Sequence, residues 1–228
     1  MSRIGFARML VLALWSGFFV WLLISGEVYR YIGPRTRWVV LLGAVMLGLA
    51  ATAQAWSQRG AGDVKWSANE MLALAAFMAP LAVIVLIPRP SLGSEAAARK
   101  STGLVGASSF VPVPQANGEI SFPEIAYASE SPDYATTVGI FDGFEIKLTG
   151  FVTHPDGGRD GTFALTRFET FCCAADAVPY SVTVDSGDEN YPEDAWLTIS
   201  GALVNEGNEY VLRAERIKET EEPDNPYI

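Results

Sequence analysis

Long apolar segments occupy the first part of the chain. Three of them carry no charged residue: Met9–Ser25, Trp38–Trp56 and Met71–Pro88. Each has 17 to 19 residues, and a helix of that length spans roughly 25–29 Å, close to the ~30 Å hydrocarbon core of a bilayer. The pattern therefore predicts three N-terminal transmembrane helices within residues 1–88. A cleaved signal peptide is the alternative for the first segment, but two further spans follow it and its apolar run is long for a signal peptide.

None of the three segments has an ionisable residue at its centre. A channel or transporter usually needs polar groups along its path. We therefore interpret these helices as an anchor, or as one side of an interface with a larger membrane protein. Pro80 lies inside the third segment and predicts a kink, which neighbouring membrane helices can accommodate.

The next segment, Arg89–Asn117, has no clear period and is rich in Ser, Gly, Ala and Pro. This composition is typical of a flexible linker. Beyond it, Ser121–Glu124 predicts the start of a short helix, with a proline at an early position. The expected organisation is a membrane domain over 1–88, a linker over 89–117 and a separate domain over 118–228.

From residue 144 onward the pattern changes to the two-residue period of half-buried strands. Five such segments follow one another, and their apolar positions include Phe144, Ile146, Leu148, Phe163, Leu165, Tyr180, Val182, Val184, Leu197, Ile199, Leu203 and Tyr210. The second segment, Thr162–Cys173, loses its alternation near Thr166–Arg167, which predicts a bulge. Glycines late in the first and fourth strands, Gly150 and Gly201, favour bends. The fold class predicted for residues 118–228 is a mainly β domain, a five-stranded OB-like barrel.

Charge is divided unevenly along the chain. Residues 1–88 hold seven Lys or Arg and three Asp or Glu, whereas the other 140 residues hold nine basic and 23 acidic residues. The C-terminal part therefore carries about −14, and such a domain repels phosphate backbones, which argues against nucleic-acid binding. We expect a multi-pass protein of the cell membrane with this acidic domain on the extracytoplasmic side, because Arg3 and Arg8 flank the first helix as on a cytoplasmic N-terminus and a strongly acidic terminal domain suits the exterior.

The segment Phe171–Pro179 holds the two cysteines of the chain, Cys172 and Cys173, with Asp176 three residues further on. Four interpretations are open: two small buried residues at a strand end, a metal site, a redox pair, or a contact surface. For a metal site, thiolate and carboxylate ligands suit a divalent transition metal such as zinc, with the single histidine, His154, as a further candidate. Adjacent strand residues point to opposite faces, so both sulfurs reach one ion only if the strand ends here.

A redox role would require a strained disulfide, because neighbouring Cα atoms lie 3.80 Å apart, below the usual 4.4–6.8 Å. A catalytic constellation is absent from the sequence: one histidine rules out most His-dependent triads, and no Gly-rich phosphate loop is present. We therefore expect that the protein is not an enzyme.

Four phrases of the chain carry a family resemblance: YIGPR at 31–35, TRFETFCCAADAVPYSVTV at 166–184, WLTISGAL at 196–203 and EPDNPYI at 222–228. Together they resemble the YcgQ-like family of permease subunits. The residues that match the family motifs are Tyr31, Pro34, Arg35, Cys172, Cys173, Ala174, Ala175 and Asp176. The resemblance implies a membrane-anchored protein with an OB-like terminal domain, usually encoded beside a multi-spanning permease and linked to metal supply.

The expected function is that of an accessory subunit in a membrane permease or transport complex, with a link to divalent metal handling through Cys172, Cys173 and Asp176. The alternative is a membrane-anchored envelope protein that senses a metal or the thiol redox state and acts without a permease. The expected partners are the lipid bilayer and a polytopic membrane permease.

Overall fold

The computed structural model describes residues 3–59, 67–86, 91–101, 120–155, 161–187, 189–207 and 209–228. Contacts within the chain divide it into two compact units, Met1–Pro90 and Ser91–Ile228. The two units are described separately below.

The first unit consists of three apolar helices. They are α1 (Arg3–Ser25), α2 (Arg37–Ser57) and α3 (Ala68–Leu86), and two short 3-10 turns, Glu27–Arg30 and Pro34–Thr36, connect α1 to α2.

The first two helices are long and apolar enough to cross a membrane by length and composition, over Arg3–Ser25 and Pro34–Ser57. In the third helix the described apolar stretch is shorter, Ala68–Ile84. The structure thus supports two of the three predicted spans by this measure. The predicted end of the third span, Pro88, lies outside the described residues.

Polar groups join these helices to one another. The Ser16 hydroxyl of α1 donates to the carbonyl oxygen of Ala44 in α2 at 2.8 Å, and the Trp15 indole donates to the carbonyl oxygen of Phe77 in α3 at 3.2 Å. Backbone acceptors on α2 and α3 therefore receive a hydrogen bond from α1, as an apolar environment favours.

The second unit is a closed five-stranded barrel. Its strands are β1 (Phe144–Thr153), β2 (Thr162–Glu169), β3 (Val178–Asp185), β4 (Trp196–Asn205) and β5 (Tyr210–Glu219). They close in the order β1-β2-β3-β5-β4, with β3 and β5 parallel and the other neighbours antiparallel. The five-stranded barrel predicted from the two-residue period is confirmed.

The predicted bulge at Thr166–Arg167 is wrong, because β2 pairs with β3 in one unbroken register from Thr162 to Glu169. The alternation of apolar and polar residues is interrupted there because Thr166, a polar residue, is fully buried. Its hydroxyl lies 2.8 Å from the hydroxyls of both Thr153 and Ser181, so the buried oxygen has partners. Among the described strands the register shift lies instead between β4 and β5, at Ser200/Gly201.

Gly150 marks the point at which β1 changes partners. Before it β1 pairs with β4, and from Phe151 onward it also pairs with β2. A Cβ at Gly150 would lie 2.6 Å from the carbonyl oxygen of Thr166. Only glycine fits this close approach of two backbones, which agrees with the bend predicted there.

Two short helices, α5 (Phe122–Glu130) and α6 (Pro132–Val138), cover part of the barrel core. The helix start predicted near Ser121 is confirmed, and the Glu124 carboxylate accepts a hydrogen bond from the Ser121 backbone N–H at 3.0 Å. Phe122 and Ile125 lie on the inner face of α5 and are buried in the main cluster.

A further helix, α4 (Ser94–Ser101), lies within the stretch predicted as a flexible linker. Ala97 of α4 is buried in a second apolar cluster with Phe151, Phe168, Ala177 and Tyr227. The described part of that stretch, 91–101, is therefore packed on the barrel rather than extended. This contact needs only one buried alanine and a few partly buried neighbours. The composition of the segment therefore looked like that of a tether.

Candidate functional site

The two cysteines lie in the segment between β2 and β3, here called the cysteine loop (residues 170–177). Strand β2 ends at Glu169, and a 3-10 turn over Ala174–Asp176 leads into β3. The predicted extension of β2 to Cys173 is therefore wrong by four residues. Because the strand ends before the cysteines, the alternation that would separate their side chains does not apply.

The carboxylate of Asp176 holds this loop together. Its Oδ1 accepts a hydrogen bond from the backbone N–H of Phe171 at 2.9 Å. Its Oδ2 accepts from the backbone N–H groups of Cys172 at 2.8 Å and Cys173 at 3.2 Å. The Asp176 N–H in turn donates to the carbonyl oxygen of Cys173 at 3.0 Å. One side chain therefore accepts hydrogen bonds from three consecutive amides just beyond the end of β2.

Charge and hydrogen bonding shift two pKa values in opposite directions. Burial alone would raise the pKa of Asp176, but hydrogen bonds from the Cys172 thiol and the three amides outweigh it and lower that pKa. The hydrogen bond to Asp176, followed by that to Cys173, raises the pKa of Cys172 to about 12. Near neutral pH the loop thus holds a carboxylate beside a protonated thiol.

The side chains of Cys172, Cys173 and Asp176 converge on one point. One ligand atom from each lies within 4.8 Å of the other two, and the two sulfurs are 3.6 Å apart. Cys172 is exposed and Cys173 is half-buried. His154 is not part of this group of described residues; its Nδ1 lies 3.6 Å from Oε1 of Glu193.

Lys100, at the end of α4, binds the far side of the cysteine loop. Its ammonium donates to the carbonyl oxygens of Ala177 at 2.8 Å, Ala175 at 3.0 Å and Ala174 at 3.4 Å. These are the carbonyls at the end of the 3-10 turn, where a positive charge is favourable. Helix α4 therefore supports the loop from outside the barrel, while Ala177 anchors it in the second apolar cluster.

Comparison with known proteins identifies the C-terminal part of the chain. Residues 107–228 match the family model described as the DUF1980 C-terminal domain. The chain belongs to the DUF1980 family. This assignment confirms the resemblance to the YcgQ-like permease subunits that the sequence phrases indicated.

A curated relative of this DUF1980 protein comes from Streptococcus mutans serotype c and is named "Putative two-component membrane permease complex subunit". The two are 30% identical over 94 residues, which is 39% of this chain and 34% of the relative. The matched region thus spans about a third of the relative's length. No solved structure matches the chain.

The remaining motif residues of the DUF1980 chain lie in the first unit. Tyr31 follows the 3-10 turn Glu27–Arg30, whereas Pro34 and Arg35 belong to the turn that precedes α2. They therefore shape the connection between α1 and α2. Ala174 and Ala175 contribute to the loop through the backbone carbonyls that Lys100 binds.

Two parts of the DUF1980 loop were not predicted from the sequence. The first is Lys100, which is about 75 residues away along the chain and sits in an alanine-rich segment that suggested a linker. The second is the particular set of three amides that donates to Asp176. The sequence favoured Asp176, taken alone, as a turn or cap residue, and the structure confirms that role, with the Cys173–Asp176 spacing of a capping box.

Proposed function

We propose that this protein is an accessory subunit of a membrane permease complex and that its cysteine loop binds a divalent transition metal such as zinc. The observation that carries the proposal is the convergence of two thiols and a carboxylate within 4.8 Å. The relative in Streptococcus mutans, named as a subunit of such a complex, supports the permease part.

The sulfur geometry suits a tetrahedral metal. With zinc–sulfur bonds of 2.3 Å and tetrahedral angles, two bound thiolates lie about 3.8 Å apart. The two sulfurs here are 3.6 Å apart, so a small rotation of either side chain brings them to that distance. Oδ1 of Asp176 accepts one backbone hydrogen bond and keeps a lone pair for a third ligand bond.

Three protein ligands leave one position of a tetrahedral ion open. Structural zinc sites usually have four protein ligands, whereas sites that exchange a ligand have three and a free position. The exposure of Cys172 provides access to that position. The arrangement therefore supports transfer of a metal to or from a partner better than a purely structural role.

Metal binding must displace the protons of both thiols. Because the pKa of Cys172 is raised to about 12, the occupied site releases protons and binds more tightly as the pH rises. Asp176 does not make metal binding weaker as the pH rises, because its pKa is lowered and its carboxylate is already ionised near neutral pH.

The metal part is tested on the full chain, purified in detergent under anaerobic conditions and titrated with Co²⁺. We expect one equivalent to bind with thiolate-to-cobalt absorption. Loss of a thiolate in Cys172→Ser or Cys173→Ser should weaken binding more than about a hundredfold, because loss of an outer-shell partner alone costs 10–100-fold. The matched control His154→Asn should bind as the wild type does. Equal affinity in all four proteins would contradict the site.

The permease part rests on separate observations. Only 6% of the most apolar stretch of α1 and 11% of that of α2 is buried, whereas the core helix of a soluble protein would be mostly buried. This outward apolar surface supports insertion in the cell membrane. We place the acidic barrel on the extracytoplasmic side, on the charge argument already given.

Co-purification from membranes of the native host tests this part. We expect a polytopic membrane protein to remain bound to the tagged chain in mild detergent at a constant ratio. On intact cells, external protease should digest the barrel. A stable monomer without a membrane partner would contradict the permease role, and a protected barrel would contradict the orientation.

The alternative, a thiol-redox sensor that acts without a permease, is favoured by the exposure of Cys172 and the 3.6 Å sulfur separation. The raised pKa of Cys172 opposes it, because the thiolate is the reactive form in thiol chemistry. A protein that takes up no Co²⁺ and forms a Cys172–Cys173 disulfide under mild oxidation would support this alternative instead.

A further inference from the structure

The first half of β1 pairs with another strand on one side only. From Phe144 to Gly150 it pairs with β4, and its pairing with β2 begins at Phe151. Within the described part of the chain, the stretch Phe144–Thr149 is therefore an open strand edge inside an otherwise closed barrel.

The hydrogen bonds of β1 show which of its backbone groups face the open side. The N–H of Val152 donates to Ala195, on the β4 side. The carbonyl oxygen of Thr149 instead accepts from Nη1 of Arg167 at 3.1 Å, away from β4. Since backbone groups alternate between the two edges of a strand, those of Glu145 and Lys147 face the open side with Thr149. In the described residues no hydrogen bond reaches them there.

A groove of about 470 Å³ follows this edge. Ile120 and Phe122 form part of its wall, and Arg167 lies at the Thr149 end. At the other end of the strand, Phe144 lines the groove and packs edge-on against Phe141, with ring centroids 5.5 Å apart. The Phe141 side chain is 61% exposed, so an apolar surface is available there.

Arg167 brings a charge to the groove that its present partners do not neutralise. Its three acceptors are the neutral carbonyl oxygens of Pro226 at 3.3 Å, Thr149 at 3.1 Å and Asn225 at 2.7 Å. A guanidinium has five N–H donors, so these bonds leave one on Nη1 and one on Nη2. These two donors remain for a carboxylate, the group that arginine commonly binds with two parallel hydrogen bonds.

We propose that the groove binds an extended segment of a partner protein, which adds a strand to β1 and places a carboxylate on Arg167. The open backbone groups would supply main-chain hydrogen bonds, as in other cases of strand addition. Five steps from Phe144 to Thr149 cover roughly 17 Å, which matches about six residues. An apolar residue of the segment would contact Phe141 and Phe144.

Charge complementarity and the open edge together favour a peptide over a small carboxylate. A small anion would use the fork of Arg167 and leave the amides of Glu145 and Lys147 unpaired, whereas a strand satisfies both. The proposal does not depend on the cysteine loop or on the permease role, so it stands or fails by itself.

The test uses the full chain in detergent and two labelled eight-residue probe peptides, followed by fluorescence anisotropy. Both peptides alternate Thr and Val and end in Phe, and they differ in one position near the other end, Glu in one and Gln in the other. We expect saturable binding of the Glu peptide and at least about tenfold weaker binding of the Gln peptide, since charge-assisted hydrogen bonds are the stronger ones.

A pair of variants separates the strand from the side chains. Lys147→Pro removes an N–H on the open side and leaves the β4 ladder its bonds, as proline can on an edge. We expect it to weaken binding of the Glu peptide at least about tenfold, since more than one main-chain bond is disturbed. Lys147→Ala should change the affinity less than about threefold. Hydrogen exchange of β4 in each variant verifies the fold.

Three results of the peptide titrations would overturn the proposal. They are the absence of saturable binding of either peptide, equal affinity for the Glu and Gln peptides, and equal affinity of a folded Lys147→Pro variant and the wild type. Competition by acetate as effective as that by the unlabelled Glu peptide would assign the groove to small anions and would overturn strand addition as well.

Discussion

The substitution Gly201→Ala is expected to destabilise the barrel by about 3 kcal/mol or more, at the upper end of the cost of overpacking. A Cβ at this position would overlap the carbonyl oxygen of Arg213, lie 3.0 Å from its carbonyl carbon and 3.2 Å from the Cα of Ala214. All three atoms are backbone, so no side chain can rotate away. The register shift between β4 and β5 lies at the same position, Ser200/Gly201.

The measurement is hydrogen exchange by mass spectrometry on the full chain, which reports the free energy of opening for amides of β4 and β5. We expect both strands to lose protection together. The matched control is Ser200→Ala, one position earlier, which should change the opening free energy by less than about 1 kcal/mol. Unchanged protection in Gly201→Ala would show that the two strands can separate locally, and would contradict the prediction.

The substitution Asp176→Asn should make Cys172 much more reactive toward alkylation. In the wild type the carboxylate raises the pKa of Cys172 to about 12, so at pH 8 only a very small fraction of this thiol is ionised. Without the negative charge the pKa should fall toward the ordinary cysteine value of about 8.5. Since the thiolate is the nucleophile, the rate of alkylation at pH 8 should rise more than about tenfold.

The pH profile separates this electrostatic effect from a simple loosening of the loop. In the wild type the rate should keep rising well above pH 10, because the pKa of Cys172 is about 12. In Asp176→Asn it should level off at a lower pH. A loop that only became mobile would react faster at every pH without a change in the shape of the profile.

The matched control for this experiment is Asp142→Asn. The Asp142 carboxylate also accepts a hydrogen bond from a backbone amide, that of Asn205 at 2.9 Å, but it lies outside the cysteine loop. Its removal should leave the alkylation rate of Cys172 unchanged. Equal profiles for wild type and Asp176→Asn would mean that the carboxylate does not control the thiol.

Short-range patterns of apolar and polar residues predicted the positions of individual helices and strands. The uncharged runs gave the positions of α1 and α2, and the alternation at Phe144, Ile146 and Leu148 marked β1, because burial of one strand face imposes a period of two. The two-residue period did not give the register shift between β4 and β5, although Gly201, predicted as a bend, lies at its position. The shift depends on where β4 meets β5, which is a contact between segments distant in sequence.

The sequence predicted the candidate ligand residues of the site but not the contacts that hold them in place. Cys172, Cys173 and Asp176 were singled out by type and spacing, and the structure brings them together. The role of Asp176 as the acceptor for three amides follows from the shape of a turn after β2, which no period encodes. Lys100 and α4 were missed because their docking depends on the small second cluster, with Ala97 as its contact on α4.

The last residues of the chain bear on the order in which the barrel can be built. The Ile228 N–H donates to the carbonyl oxygen of Phe168 at 2.9 Å, and the Ile228 carbonyl oxygen accepts from Thr170 at 3.2 Å. Tyr227 packs beside Phe168 in the cluster that carries the cysteine loop. During translation, residues 166–185 leave the ribosome well before these partners exist. The cysteine loop can therefore reach its final form only after residue 228 has emerged from the ribosome, so any metal would enter a barrel whose strands are already in place.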